Sequence, residues 1–259
     1  MYWFMTPRMI EEQQRAARAR FDAAKSKSVD WADYKRPKAP ELTVIKANTF
    51  NPVNPLAPVF GELEPMPPHL AFAKTDAPYV RASEGKPEWI YVIRRLPAGE
   101  LLQMPFHPDR RSATVAFDQD IDIPVLQCNG QVWMSITPAE ILTCRGGIRH
   151  AKGRTIIGGL GMGWQLHHIA EKKGVKEIVV VEESKRLIDW YGRELCERYG
   201  AEIVCGDIWE HIPRFDLKDR FVVDIWSGFW DARFSRPLMA ARKAGYNIWA
   251  WGSERGGMW

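Results

Sequence analysis

From Arg154 onward the chain alternates between apolar runs and amphipathic stretches. Residues 155–157 form a short apolar run and residues 177–181 (EIVVV) a continuous β-branched one. Residues 201–205, 221–223 and 246–251 repeat the pattern. Uninterrupted apolar runs of this length predict strands covered on both faces. Between them, residues 163–173, 185–199 and 237–243 carry helical spacing, with Leu187, Ile188, Tyr191 and Leu195 on one stripe. Ser184 stands where an N-cap belongs and Gly200 where a helix ends. Strand–helix alternation builds a parallel sheet with helices on both faces. Ligands on such sheets sit at the carboxyl ends of the strands, by the switch point.

Upstream the rhythm differs. Residues 89–94 (WIYVIR), 112–117 (SATVAF), 123–128 (IPVLQC) and 131–134 (QVWM) are β-branched and aromatic, and Asn129-Gly130 is a two-residue hairpin signal. They predict a small antiparallel sheet. Thr137, Pro138 and Glu140 then stand as N-cap, N1 and N3 of a helix expected to end at Gly146-Gly147. Residues 37–87 hold ten of the 18 prolines, and 51–58 (NPVNPLAP) and 64–68 (EPMPP) exclude helix and central strand, leaving extended chain. Residues 11–27 favour a helix, but Ile10 and Phe21 are its only strong apolar anchors, which predicts a solvated arm. The expected division is therefore a basic arm and Pro-rich segment over 1–87, a β module with linking helix over 88–150, and a sheet domain over 151–259.

Composition narrows the class. At 259 residues, with 46% hydrophobic and 26% charged residues, the chain can bury a core and is not globally disordered. The net charge of +4 is mild and arises in the first 40 residues, where nine Lys and Arg face five Asp and Glu. Cys128, Cys144, Cys196 and Cys205 form no C-x-x-C pair, which predicts a reducing, cytoplasmic setting. No apolar run approaches the roughly 20 residues of a membrane span, so no membrane partner is expected.

The candidate chemistry lies in residues 155–163, TIIGGLGMG. Gly159, Gly161 and Gly163 follow a strand and open a helix, a turn that lets a ligand approach backbone amides. Glu182 ends the second strand, 19 residues beyond Gly163, where a carboxylate accepts from ribose hydroxyls. Asp207 ends the third strand and could accept from an adenine amine, with Ile208 against the ring. Asp224 ends the fourth. Four consecutive strands thus bring a glycine loop and three carboxylates to one edge, which predicts an adenosine-bearing ligand. A dinucleotide fingerprint counted from Gly159 would place Trp164 where a small residue is required, and no G-x-x-x-x-G-K-[ST] is present.

Over residues 150–252 this constellation resembles the class I S-adenosylmethionine (SAM)-dependent methyltransferases, and within them the spermidine-synthase-like branch, whose hairpin and helix residues 126–140 (LQCNGQVWMSITPAE) also resemble. The resemblance implies an α/β fold with a Rossmann-like, mostly parallel sheet, preceded by a small antiparallel module. It implies SAM as cofactor, held by Gly159, Gly161, Met162, Gly163, Glu182, Asp207 and Ile208, with Asp224 catalytic beside the sulfonium. The expected activity is methyl transfer to an acceptor the sequence does not identify. A non-catalytic SAM-binding protein and an aminopropyltransferase-like enzyme are the alternatives. The second is disfavoured because Met162 stands where aminopropyltransferases carry Asp, Trp133 and Pro138-Ala139 where they carry Gln and an Asp-Glu pair, and Ser227 where they carry a second Asp. Ile157 stands where many methyltransferases have a carboxylate.

Trp226 and Trp230, with Phe229, could wall a flat or cationic acceptor. His167 and His168 are adjacent on a helix and point about 100° apart, so no metal site is expected. After residue 251 only GSERGGMW remains, so the last strands of the methyltransferase sheet are expected to be missing. The open edge at 246–251 and the basic N-terminal arm are then candidate surfaces for a homo-oligomer or another protein.

Overall fold

The computed structural model describes residues 7–34, 42–66, 79–82, 87–104, 113–228 and 231–253. The chain forms two compact units: Met1–Pro52 with Arg95–Asp122, and Val53–Arg94 with Ile123–Trp259. These units cut across the three-part division expected from the sequence.

In chain order the elements begin with α1 (Pro7–Lys25), β1 (Leu42–Ile45), α2 (Ala57–Phe60), β2 (Tyr79–Arg81), β3 (Trp89–Leu96), β4 (Leu102–Gln103) and β5 (Thr114–Phe117). They continue with β6 (Ile121–Cys128), β7 (Gln131–Ser135), α3 (Pro138–His150), β8 (Gly153–Gly158), α4 (Trp164–Ala170), β9 (Val175–Glu182) and α5 (Lys185–Leu187). The remainder are α6 (Arg193–Arg198), β10 (Glu202–Cys205), α7 (Ile208–His211), β11 (Arg220–Val223), α8 (Arg236–Lys243) and β12 (Asn247–Ala250).

In the first unit, β1 pairs in parallel with β5, and β4 runs antiparallel to β5. The helix is thus more than a solvated arm. Phe21 is buried and forms a small core with Val44 and Ala116, while Arg18 and Lys25 lie over its ring at 5.5 and 5.8 Å. One aromatic anchor suffices to dock α1, and its polar faces remain in water.

In the second unit the parallel sheet has the order β10-β9-β8-β11-β12 among the described residues. Its strands run 3-2-1-4-5 by order of appearance, all parallel. This is a Rossmann-like sheet, with the order reversing between β8 and β11. Val179, Val180 and Val181 of β9 are essentially fully buried, each contributing about 1.5–3 kcal/mol of apolar burial. Ile156, Phe221, Val223, Ile208 and Leu238 complete the core around them. Between α5 and α6 the helix widens into a π-turn over Ile188–Gly192.

Three local expectations are corrected. Residues 112–117 were assigned to the antiparallel sheet with β3, β6 and β7; instead β5 pairs with β1, and the sheet's remaining strand is β2. The helix α3 runs through Gly146-Gly147 to His150, because the Trp249 indole packs so closely on both glycines that a Cβ at either would overlap it. The Pro-rich stretch contains one helical turn, α2, where Pro58 occupies the first turn and its missing N–H costs nothing. That turn carries Phe60 to Tyr91, Trp190 and Tyr191, and Asn54 Nδ2 donates to the Tyr91 hydroxyl at 2.7 Å. Among the described residues no helix is long and apolar enough to cross a membrane.

Candidate functional site

The chain leaves β8 at Gly158 and turns into α4 through the glycine loop. Gly159 has φ +90°, and a Cβ there would overlap the backbone carbonyl oxygen of Asp224. Only glycine lets the loop lie this close to the end of β11, where Asp224 N donates to Gly158 O at 2.9 Å. Gly163, in the left-handed region, is the N-cap of α4.

Three carboxylates meet this turn, two held by backbone N–H groups and the third by side chains. Glu182 ends β9. Its Oε2 accepts from Leu160 N at 2.8 Å and its Oε1 from Ser184 N at 2.7 Å, tying the loop to the strand end. Burial pushes its carboxyl above the usual range, and these two backbone donors moderate the shift. Asp207 ends the β10 turn and caps α7, its Oδ1 accepting from Trp209 N at 2.9 Å. Asp224 follows β11. Its Oδ2 accepts from Gln165 Nε2 at 2.8 Å and from the Cys144 thiol at 3.7 Å. Enclosure by the protein pushes its carboxyl up to about 7, against those two donors.

Gly159, Gly161, Glu182, Asp207, Ile208 and Asp224 line one cavity of about 590 Å³. That is within the range of small-molecule sites. Pro87, Trp89, Cys128 and Trp133 line it from the antiparallel sheet, and the two indoles meet edge to face with centroids 5.8 Å apart. Trp89 Nε1 donates to Ser184 Oγ at 3.2 Å and Arg186 Nη2 to Ala82 O at 3.1 Å, which anchor that sheet to the β9–α5 turn. Lys185 and Arg186 reach the same cavity beside Glu182.

Beside it lies a pocket of about 30 Å³, which shares Gly159, Gly161, Trp133 and Asp224 with the larger one. Met134, Glu140, Leu160, Gln165, Trp226 and Trp251 complete its lining among the described residues. Oxygens of Glu140 and Asp224 and the Cys144 sulfur lie within 4.8 Å of one another. Burial, and then the charge of Asp224, push the Glu140 carboxyl well above its usual range. Burial, Asp224 and Glu140 do the same to the Cys144 thiol, so it stays a neutral donor. Gln165 Oε1 is buried and has no hydrogen-bond partner in the structure. Carboxyl oxygens, an amide oxygen and indole rings therefore converge, and the Gln165 Oε1 acceptor is left without a hydrogen bond.

The structure brings together Gly159, Gly161, Glu182, Asp207, Ile208 and Asp224 as the sequence predicts, but it places Met162 and Gly163 elsewhere. Met162 is fully buried, its N–H on Met134 Sδ at 3.2 Å, and Gly163 packs on Leu195. Neither lines the cavity. Trp226 lines the small pocket, whereas Trp230 and Phe229 lie outside the described residues. Sequence reasoning missed Trp89, Gln165, Trp251 and the role of Glu140. Glu140 reads as an N3 residue, and its backbone N–H does bond the Thr137 cap, but its carboxylate lines the pocket. A glutamine in the first turn of a helix with a buried face was the available signal for Gln165.

His167 and His168 also depart from the sequence reading. Side-chain torsions swing the two rings together over α4, with centroids 4.7 Å apart.

No family model matches the chain, and no curated protein matches it. Among solved structures it is similar to a spermidine synthase in complex with the transition-state analogue AdoDATO, at 16% identity and a TM-score of 0.36, over 60% of this chain and 64% of that one. It is similar to spermidine synthase from Thermotoga maritima at 16% identity and a TM-score of 0.36, over 58% and 62%. It is also similar to a Δ(1)-pyrroline-2-carboxylate reductase of Thermococcus litoralis in complex with NADH and L-proline, at 15% and 0.24, over 54% and 43%. The chain thus spans less than two thirds of the length of each. The Rossmann-like assignment rests on the strand order and parallel pairing of the sheet itself.

Proposed function

We propose that this protein is a SAM-dependent transferase that moves an alkyl group, methyl in the leading reading, onto an amine. The observation that carries the reading is the pair of cavities meeting at Asp224. The larger presents a glycine loop, Glu182 and Asp207 at the ends of adjacent parallel strands, an arrangement suited to adenosine. The smaller has room for one ammonium-sized group and offers it carboxyl oxygens, an amide oxygen and indole faces.

SAM would supply an electrophilic carbon on its sulfonium, which the amine nitrogen would attack in line as the C–S bond breaks and the thioether leaves. The protein then has three tasks. Glu182 and Asp207 orient the adenosine, each already fixed by backbone N–H groups. Glu140, Gln165 and the indoles hold the amine so that its lone pair faces the larger cavity. Asp224 takes the proton the nitrogen gives up, and a carboxyl held near 7 is matched to that transfer at neutral pH.

A second reading, aminopropyl transfer, is favoured by one specific observation. The case against it rested on missing carboxylates, and Glu140 supplies one directly beside Asp224. Calorimetry with SAM, S-adenosylhomocysteine and decarboxylated SAM, followed by label transfer to a panel of amines, separates the readings. Methyl transfer to an amine supports the first. Preference for the decarboxylated donor supports the second. Binding without turnover supports a non-catalytic SAM-binding protein, and absence of binding by all three compounds ends the proposal.

A further inference from the structure

Outside the cavities, the most concentrated group of metal-ligating side chains lies on α4 and the residue after it. His167, His168 and Glu171 each place one ligand atom within 4.8 Å of the other two. Their spacing, i, i+1 and i+4, sets all three at one end of a short helix. None of them lines either cavity, so the group has no part in the transfer chemistry above.

Each ligand is held by a different contact. His167 Nδ1 lies 3.2 Å from the Tyr199 hydroxyl, and its ring stands edge-on to the Tyr199 ring at 5.4 Å. In the tautomer that donates Nδ1–H to that oxygen, Nε2 carries the lone pair. Nε2 is the atom that faces Glu171, 3.6 Å from Oε1. A hydrogen bond on the far nitrogen is the outer-shell support that metal-ligating histidines require. His168 stands edge-on to the Trp164 indole with ring centroids 4.3 Å apart, a contact that keeps the ring beside His167. Glu171 is the exposed member and can adjust without disturbing the core.

The geometry points to a divalent transition-metal site: we propose that His167, His168 and Glu171 bind one ion of the zinc class, with water completing the shell. Zinc–nitrogen and zinc–oxygen bonds of about 2.0–2.2 Å put neighbouring tetrahedral ligands roughly 3.4 Å apart. The His167–Glu171 separation already meets that spacing. The remaining closure falls on the exposed Glu171 and on rotation of the His168 ring. Two imidazoles and one carboxylate are borderline and hard donors. They suit Zn²⁺, Co²⁺ and Ni²⁺ and disfavour Ca²⁺ and Mg²⁺, which take oxygen shells. Because Gly163 is the N-cap of α4, an ion here would pin the helix that the glycine loop enters.

The test uses the full chain without a histidine tag, titrated with Zn²⁺ and with Co²⁺, reading stoichiometry by calorimetry and coordination by visible absorption. One ion per chain is expected, with the intense absorption of four-coordinate Co²⁺. Glu171→Ala changes an exposed side chain and should weaken binding at least tenfold while the fold persists. Tyr199→Phe removes only the outer-shell hydroxyl and should weaken it about 10- to 100-fold. Cys144→Ser should leave it unchanged. Absence of stoichiometric binding overturns the proposal. So does binding that survives His167→Ala with His168→Ala, or binding lost in Cys144→Ser, which would place the ion at Asp224 instead.

Discussion

Each compact unit contains a hollow, and the larger one is the less informative. In the first unit a groove of about 1050 Å³ runs between α1 and β1, lined by Ala16, Ala23, Val44 and their neighbours, with Arg20 and Lys27 along it. Among the described residues its lining has no carboxylate, histidine or cysteine. In the second unit a cavity of about 590 Å³ gathers Glu182, Asp207 and Asp224 around a glycine loop. Volume alone does not mark a site. Convergent polar groups with shifted ionisation do, and they arise where strand ends and helix starts meet.

The largest expected effect breaks the symmetry between the two hollows. Asp224→Asn keeps the shape and the Gln165 contact but removes the base, so turnover should fall about 10²- to 10⁴-fold with donor affinity little changed. Replacing Arg20 or Lys27 should leave turnover as it was. The same carboxyl sets a pH signature. Its proton is held up to about 7 in the fold, against 3.8 ordinarily. Between those values the native state binds more protons than the unfolded chain, so stability falls as pH rises through the window. Turnover rises through about 7 as the base ionises. Both slopes should flatten in Asp224→Asn, measured by thermal melts and rate profiles.

The next effect is structural and confined to the first unit. Phe21→Ala removes the buried aromatic side chain by which α1 packs on Val44 and Ala116, at a cost of about 3–5 kcal/mol. Hydrogen exchange should show α1 and β1 opening, while adenosine-ligand affinity in the second unit stays within twofold. Loss of both together would mean that the units are not energetically separate.

This contrast also explains what could be read from the sequence. The sheet of the second unit is wound strand to helix to adjacent strand except for one crossover from β10 to β11, so residues 155–251 announced its elements through periodicity and caps. Asn129-Gly130 announced its hairpin, and Asn129 indeed has φ +51°. Pairing of Leu42–Ile45 with Thr114–Phe117 joins distant short segments, and nothing in either names its partner. The site divides in the same way. Glu182, Asp207 and Asp224 were legible because strand ends in a parallel sheet share an edge. Trp89, Trp133 and Trp251 were not, since their approach depends on sheet and helix packing. Gly146-Gly147 reads as a helix stop by local propensity, and only the Trp249 indole against it reveals a packing surface.

Glu140 sharpens the reading of the small pocket with a moderate effect. Its carboxyl is pushed up by burial and by the charge of Asp224. Glu140→Gln keeps the shape and a polar head without an ionisable proton. The pH midpoint of turnover should therefore stay near 7, while KM for the amine rises roughly tenfold, the scale of one hydrogen bond to a charged group. A shifted midpoint with unchanged KM would assign Glu140 to proton transfer rather than to amine binding.

The smallest effect separates two uses of one carboxylate. Asp207 Oδ1 caps α7 through Trp209 N, a contact present without any ligand. Asp207→Ala should destabilise the protein by about 1 kcal/mol from the cap alone. If the second oxygen also accepts from an adenine amine, donor affinity should fall a further few-fold, and a purine analogue lacking that amine should bind wild type and variant equally. Asp207→Asn distinguishes the two uses, because an amide oxygen still caps the helix while the amide N–H₂ faces the adenine amine donor to donor. Restored stability with unrestored affinity would show that the acid at the end of the third strand serves the ligand as well as the fold.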